Sequence, residues 1–146
     1  MLQIRIRQLR PGAQLPSYGS AQAAGADLHA CIDAPMTIDA GETVLIPTGL
    51  AMALPEGYAG LIYARSGLAT KRGLAPANKV GVIDPDYRGE VMVSLHNHSR
   101  SPQTIAPGER IAQLIVTPYL TCVFTEADTL DDTERGSGGF GSTGQV

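Results

Sequence analysis

The chain has 146 residues, 43% of them hydrophobic and 17% charged, enough apolar material for the core of one domain. Its 14 acidic residues outnumber 11 basic ones, for a formal net charge of −3, which argues against nucleic acid or an anionic membrane surface as the main partner. No apolar run approaches the ~18 residues of a membrane-spanning helix.

At the start of the chain, Leu2, Ile4 and Ile6 alternate with Gln3, Arg5 and Arg7, the period of a half-buried strand. A secretory signal would show a continuous apolar block instead, so a cytoplasmic location is expected. Further short apolar or alternating runs follow at residues 43–46, 50–54, 58–63, 91–95, 111–116 and 122–124. Turn residues separate them, among them Pro11-Gly12, Ala40-Gly41, Pro55-Glu56-Gly57 and Pro107-Gly108. Residues 66–72 are the one helical candidate. Many short strands with frequent turns predict an all-β sandwich or barrel, with a jelly roll among the forms that fit. Cys31 and Cys122 sit in apolar surroundings and read as reduced, buried thiols; without a C-x-x-C pair neither zinc nor redox chemistry is indicated. The packed domain is expected to span residues 1–125. Residues 126–146 read as an acidic connector (Glu126, Asp128, Asp131, Asp132, Glu134) leading into a glycine-rich arm.

Five segments carry polar residues that ordinary strand surface does not require. Asp27 follows Ala24-Gly25-Ala26 at a strand start and reads first as a surface aspartate beside a turn, with a site carboxylate as the alternative. Arg65, Ser66 and Gly67 lie where an apolar strand gives way to the helix. A hydroxyl, a glycine N–H and an arginine there make an anion site, or else Ser66 is a plain N-cap. Residues 78–90, NKVGVIDPDYRGE, run an apolar strand into Asp84 and turn back toward Val91. Such a hairpin can offer edge backbone groups to a planar ligand, or can simply carry an acidic turn. In PGERIAQL (107–114), strand alternation sets Ile111 and Gln113 on one face and Ala112 and Leu114 on the other. An unpaired buried amide costs ~1–3 kcal/mol, so Gln113 needs a partner. The arm, RGSGGFGSTGQV from Arg135 on, has too little apolar area to order itself. It is either a flexible low-complexity end or a lid, with glycine N–H groups cradling phosphate and Phe140 capping a flat ring.

Together these segments resemble the five motifs of the trimeric dUTPase family: AGADL, ARSGLA, NKVGVIDPDYRGE, PGERIAQLI and RGSGGFGSTG. They occur in the family's order and at its usual intervals over residues 24–144. The resemblance implies a distorted jelly-roll β-barrel with one short helix and a flexible glycine-rich C-terminal arm that closes over an active site. It implies hydrolysis of dUTP to dUMP and pyrophosphate by water attack on the α-phosphorus. Such an enzyme keeps uracil out of DNA and supplies dUMP for thymidylate synthesis. By the same resemblance Asp84 is the general base. Asn78 and the backbone of Gly81, Val82 and Ile83 pair with uracil, and Tyr87 packs beneath the deoxyribose. Arg65, Ser66, Gly67 and Gln113 contact phosphate. Arg135 binds the γ-phosphate, Phe140 stacks on uracil, and Gly141, Ser142 and Thr143 close over the phosphates. Mg²⁺ is the implied cofactor, with Asp27 reaching it indirectly, through water. The implied assembly is a homotrimer whose active sites are shared between subunits, with no nucleic acid and no membrane as partner.

Two positions depart from the family pattern. Ala64 stands where proline usually precedes Arg-Ser-Gly, and Ala26 replaces a larger residue before the aspartate. His29, His96 and His98 match no functional position and read as surface or strand histidines. The sister dCTP deaminases share the fold and the turn but carry a catalytic glutamate ten residues after the turn aspartate, where this chain has Ser94, and they lack the GGFGSTG ending. A non-catalytic trimeric nucleotide sensor or capsid-like protein is the rival from another class; the full set of reacting residues argues against it.

Overall fold

The computed structural model describes residues 2–139, so Phe140, Gly141, Ser142 and Thr143 lie outside the described residues. The strands in chain order are β1 (Arg5–Gln8), β2 (Ser17–Tyr18), β3 (Ala26–His29), β4 (Met36–Ile38), β5 (Thr43–Pro47), β6 (Leu50–Ala53), β7 (Tyr58–Tyr63), β8 (Leu74–Pro76), β9 (Gly81–Ile83), β10 (Met92–Asn97), β11 (Gln103–Ile105) and β12 (Arg110–Pro118), with one helix, α1 (Ser66–Arg72), between β7 and β8. Every pairing is antiparallel. The largest sheet has the order β2-β3-β12-β7-β9; β5-β10-β8 form a second, and β1-β6 and β11-β4 are two-stranded. This is the expected all-β jelly roll with one short helix.

Period-two patterning builds the core. On β10, Val93, Leu95 and Asn97 point inward while Met92, Ser94 and His96 are exposed or half-buried. Leu28, Ile38, Ile46, Leu50, Leu74, Leu95, Ile105 and Ile111 are fully buried. Each such side chain is worth roughly 1.5–3 kcal/mol of transfer free energy. Asn97 is the polar exception. Its Nδ2 donates to the carbonyls of Ile38 and Ser101, and its Oδ1 accepts from Ser99 N–H and Oγ–H, so no polar atom of its amide is left bare.

Three local expectations are corrected. Residues 78–95 do not form a hairpin: β9 pairs with β7 and β10 with β5 and β8, so the chain crosses from one sheet to another at Asp84–Glu90. Sheet membership depends on partners distant in sequence, which the turn chemistry does not encode. Residues 122–124 are not a strand. The last sheet pairing is Pro118 with Tyr58, and Val123 and Phe124 beyond it are 93% and 95% exposed. Apolar alternation there has no neighbouring strand among the described residues to pair with. Cys122 is therefore exposed, whereas Cys31 is buried as expected.

Candidate active site

Two clefts on opposite sides of the β12–β7 pair gather the candidate residues. The first, about 250 Å³, is lined by Asp27, Arg65, Ser66, Gly67 and Gln113, with Gly25 and Arg110 beside them. Register brings them together: Gln113 on β12 lies opposite Asp27 on β3 and opposite Tyr63 on β7. β7 then leads through Ala64 into Arg65 and α1. The Gln113 amide has the partner its position demands, since Nε2 donates to the Ala64 carbonyl at 2.8 Å. Its Oε1 lies over Gly25, where an added Cβ would come within 2.3 Å of it. A side chain at 25 would therefore push the Gln113 amide out of this position.

Asp27 is buried and bridges two guanidinium groups. It accepts from Arg65 Nε at 2.8 Å and from Arg110 Nη1 at 3.2 Å. Two cations around one carboxylate leave the cleft with a net positive charge, suited to an anionic ligand. Arg110 was not among the sequence candidates, for a physical reason. Residues 110 and 113 are an odd number apart, so a regular strand would face them oppositely. The register of β12 on β3 shifts between Arg110 and Ala112, and this bulge turns Arg110 onto the face of Gln113 and Asp27. The same bulge buries Ile111 and Ala112 together, so the simple alternation expected through this segment does not hold.

Ser66 is not an N-cap. Arg65 occupies the cap position with φ −88° and ψ 128°, no side chain caps the helix, and Ser66 and Gly67 are exposed in its first turn. A Cβ at Gly67 would meet nothing within 4 Å, so the chain's own packing does not demand glycine there. His29, on the same face of β3 as Asp27, keeps Nδ1 buried without a hydrogen-bond partner among the described residues. Burial pushes its pKa down; Asp27 opposes that shift, and Arg110 and Arg65 add to it.

The second cleft, about 350 Å³, is lined by Asn78, Gly81, Val82, Ile83, Asp84 and Tyr87, with Leu45, Glu90 and Met92 along its rim. β9 is an edge strand, bonded on one side only to β7, and Val82 is 62% exposed. Its free edge is therefore open to a planar hydrogen-bonding ligand. Lys79, at φ 64°, makes the left-handed turn that sets the Asn78 amide over Gly81. Tyr87 caps the far side: its N–H donates to the Asp84 carbonyl at 3.2 Å and its hydroxyl to the Glu90 carbonyl at 2.9 Å. The ring lies so close to Gly89 that a Cβ there would come within 2.4 Å of the hydroxyl oxygen. Glu90 fixes the end of the turn, accepting from Gly49 N–H at 2.8 Å and from Arg10 at 2.7 Å. Asp84 is exposed at the mouth, on the turn between sheets. Arg135 lines neither cleft; its Nε donates to the Gly138 carbonyl at 2.8 Å.

Among the described residues no group of three or more His, Cys, Asp or Glu could hold a metal ion, and no helix is long and apolar enough to cross a membrane.

The sequence model of the dUTPase family matches residues 12–144. The deoxyuridine 5′-triphosphate nucleotidohydrolases of Paraburkholderia phymatum and Janthinobacterium sp. are each 48% identical to this chain over 145 residues, covering 99% of it and 98% and 97% of their own lengths. Among solved structures, the dUTPase of Staphylococcus bacteriophage 80alpha with dUPNHPP is similar, with a TM-score of 0.89, 26% identity and 99% of each chain covered. A dUTPase mutant from phage phi11 of S. aureus, described for its coordination of a structural Mg(II) ion, has the same fold, with a TM-score of 0.80 at 22% identity, covering 90% of this chain and all of that one.

Proposed function

Because the chain belongs to the dUTPase family and its activity is that of a dUTP diphosphatase, we propose that its two clefts are the two halves of a dUTP site. The observation that carries this reading is the division of chemistry between them. The edge cleft offers a planar-ligand edge and a carboxylate but no lining lysine or arginine. The other cleft offers two arginines, a glutamine and an open helix start. Uracil pairs with Asn78 and the backbone of Gly81, Val82 and Ile83, so a cytosine presents a donor at C4 where an acceptor is needed and an acceptor at N3 where a donor is needed. Tyr87 lies beneath the deoxyribose and leaves no room for a 2′-hydroxyl. Arg65, Ser66, Gly67 and Gln113 take the phosphates. Arg110 shares Asp27 with Arg65 and adds the second cation.

Asp84 orients a water and takes its proton as the water attacks the α-phosphorus, giving dUMP and pyrophosphate. Arg135 binds the γ-phosphate. Phe140 stacks on uracil, and Gly141, Ser142 and Thr143 close over the phosphates and exclude other water. The residues fit a magnesium ion that arrives on the triphosphate and do not fit a protein cage, since both Asp27 oxygens are held by guanidinium groups. Asp27 would reach that ion through water, and the ion when bound neutralises phosphate charge. The two clefts have no lining residue in common. This supports a homotrimer in which one copy's edge cleft faces another's arginine cleft and a third copy supplies the arm. The role is cytoplasmic, removing dUTP before it enters DNA and supplying dUMP for thymidylate.

Mixing two inactive variants tests the reading. Asp84→Asn and Arg65→Ala chains, unfolded and refolded together, should regain pyrophosphate release from dUTP, because some sites then pair an intact Asp84 with an intact Arg65. If the halves of a site come from one chain, no mixture recovers activity. Dependence of release on Mg²⁺ and silence toward dCTP are measured alongside. Ser94, half-buried on β10, carries no carboxylate for deamination.

A further inference from the structure

α1 has seven residues and buries one side chain, Leu68, too little for a helix to hold its own place. Its ends are fixed instead. At the start, Arg65 bonds Asp27. At the other end, Gly73 at φ 67° closes the helix, and Arg72 reaches out with three donors. Its Nε bonds Gln103 Oε1 at 3.1 Å, one terminal nitrogen bonds the Thr104 carbonyl, and the other bonds Glu109 Oε1. Glu109 is itself immobilised. Its second oxygen accepts Ala106 N–H at 2.9 Å, and its carbonyl accepts Ala30 N–H at 2.8 Å. The next residue, Arg110, bonds Asp27. The contacts therefore close a ring: Asp27 to Arg65, along α1 to Arg72, across to Glu109, and through Arg110 back to Asp27. The arginine cleft lies on the Asp27 side of that ring; Arg72 lies on the far side and lines no part of it.

We propose that Arg72 is a positioning residue for the triphosphate. It holds α1 against the turn before β12, and so sets Arg65, Ser66 and Gly67 at the spacing from Arg110 and Gln113 that the phosphates require. The proposal rests on the reading of this cleft as the phosphate half of the site. Without the fork, α1 keeps the Arg65–Asp27 bond, buried Leu68 and the Gly73 carbonyl's bond from His98 N–H, but it loses its tie to the turn before β12, and its open turn shifts relative to β12. Small misplacements of ligand-binding groups cost much of their effect even where every group is still present.

The test compares the full-length wild type with Arg72→Ala, Arg72→Lys and Glu109→Gln. Each is measured for melting temperature, kcat and KM with dUTP, and affinity for dUMP and for a non-hydrolysable imido analogue of dUTP, with magnesium present. Arg72→Ala should raise KM and weaken the analogue roughly tenfold or more while dUMP affinity stays within about twofold. Arg72→Lys, which keeps the charge but cannot span three acceptors, should fall between, and Glu109→Gln should shift the same ratio in the same direction. An unchanged ratio of analogue to dUMP affinity overturns the proposal, as does an equal loss of both, which marks a general loosening. Should Arg72→Ala fail to fold, the other two variants are judged by the same ratio. If the wild type itself binds the analogue no better than dUMP, the phosphate reading fails, and the proposal with it, whatever the variants do.

Discussion

Asp84 stands exposed at the end of β9, with water free to reach it, and its replacement is the sharpest probe of the chemistry. Asp84→Asn keeps the shape but cannot accept a proton. It should lower kcat by at least ~10²-fold, the low end of general-base contributions, with analogue affinity nearly intact. Retention of more than about a tenth of kcat would remove Asp84 from that role. Tyr87 is half exposed and is held by one hydroxyl bond to its own turn. Tyr87→Ala should therefore melt close to wild type yet lose discrimination between dUTP and UTP, read as the ratio of kcat/KM values. An unchanged ratio means another group senses the sugar. His29 acts on stability. Its folded pKa lies below the ordinary 6.5 because burial disfavours the charged ring. Above pH 6.5 the residue is neutral in both states and its contribution is fully present. As pH falls through 6.5 toward the lowered folded value, the unfolded chain takes up the proton first and stability declines. Melting temperature should drop more steeply from about pH 7 to about pH 5.5 in the native chain than in His29→Gln; parallel curves would refute this.

At the scale of elements, β12 does the most to build the site. It pairs with both β3 and β7, and its bulge selects which side chains share a face. Most strands, the helix at residues 66–72 and the need of Gln113 for a partner are readable from spacing, since periodicity and turn residues are local signals. The bulge is not. It inserts one residue into an otherwise regular alternation, and nothing in GERIAQ marks Ile111 as the extra one. Gly25 tests this packing. In Gly25→Ala the new methyl would overlap the Gln113 amide oxygen, the far end of a flexible side chain. The chain should yield there, with the melting temperature little changed and KM for dUTP raised roughly tenfold as the amide moves. A lower melting temperature with unaltered KM would mean the backbone shifted and Gln113 stayed.

The whole molecule is where the separate clefts and the end of the chain need explaining. After Pro118 the chain forms neither strand nor helix among the described residues, and Leu120, Val123, Phe124 and Leu130 are at least 86% exposed. Residues 133–139 are likewise exposed or half-buried and outside the core, so removing residues 133–146 should leave melting almost unchanged. Catalysis should collapse, because Arg135 and Phe140 go together with the glycine N–H groups. On the shared-site reading the particle has a mass of about 46 kDa by light scattering, three times the 15.3 kDa of one chain. A fully active monomer would rule that out.

The sequence by itself determined the all-β class, the order of the motifs and the chemistry each carries, because patterning, turn residues and functional groups are properties of short stretches. Tertiary structure alone decided which stretches meet. It separated β9 from β10, which a local reading joins as a hairpin, and left the β9 edge open. It turned Arg110 toward Asp27 through a bulge, moved Ser66 off the cap position into the first turn, and exposed Cys122 by giving residues 122–124 no strand to join. Each of these depends on partners far away in the chain, and pairing with a distant strand is settled by the packing of the whole sheet, which no local run of residues contains.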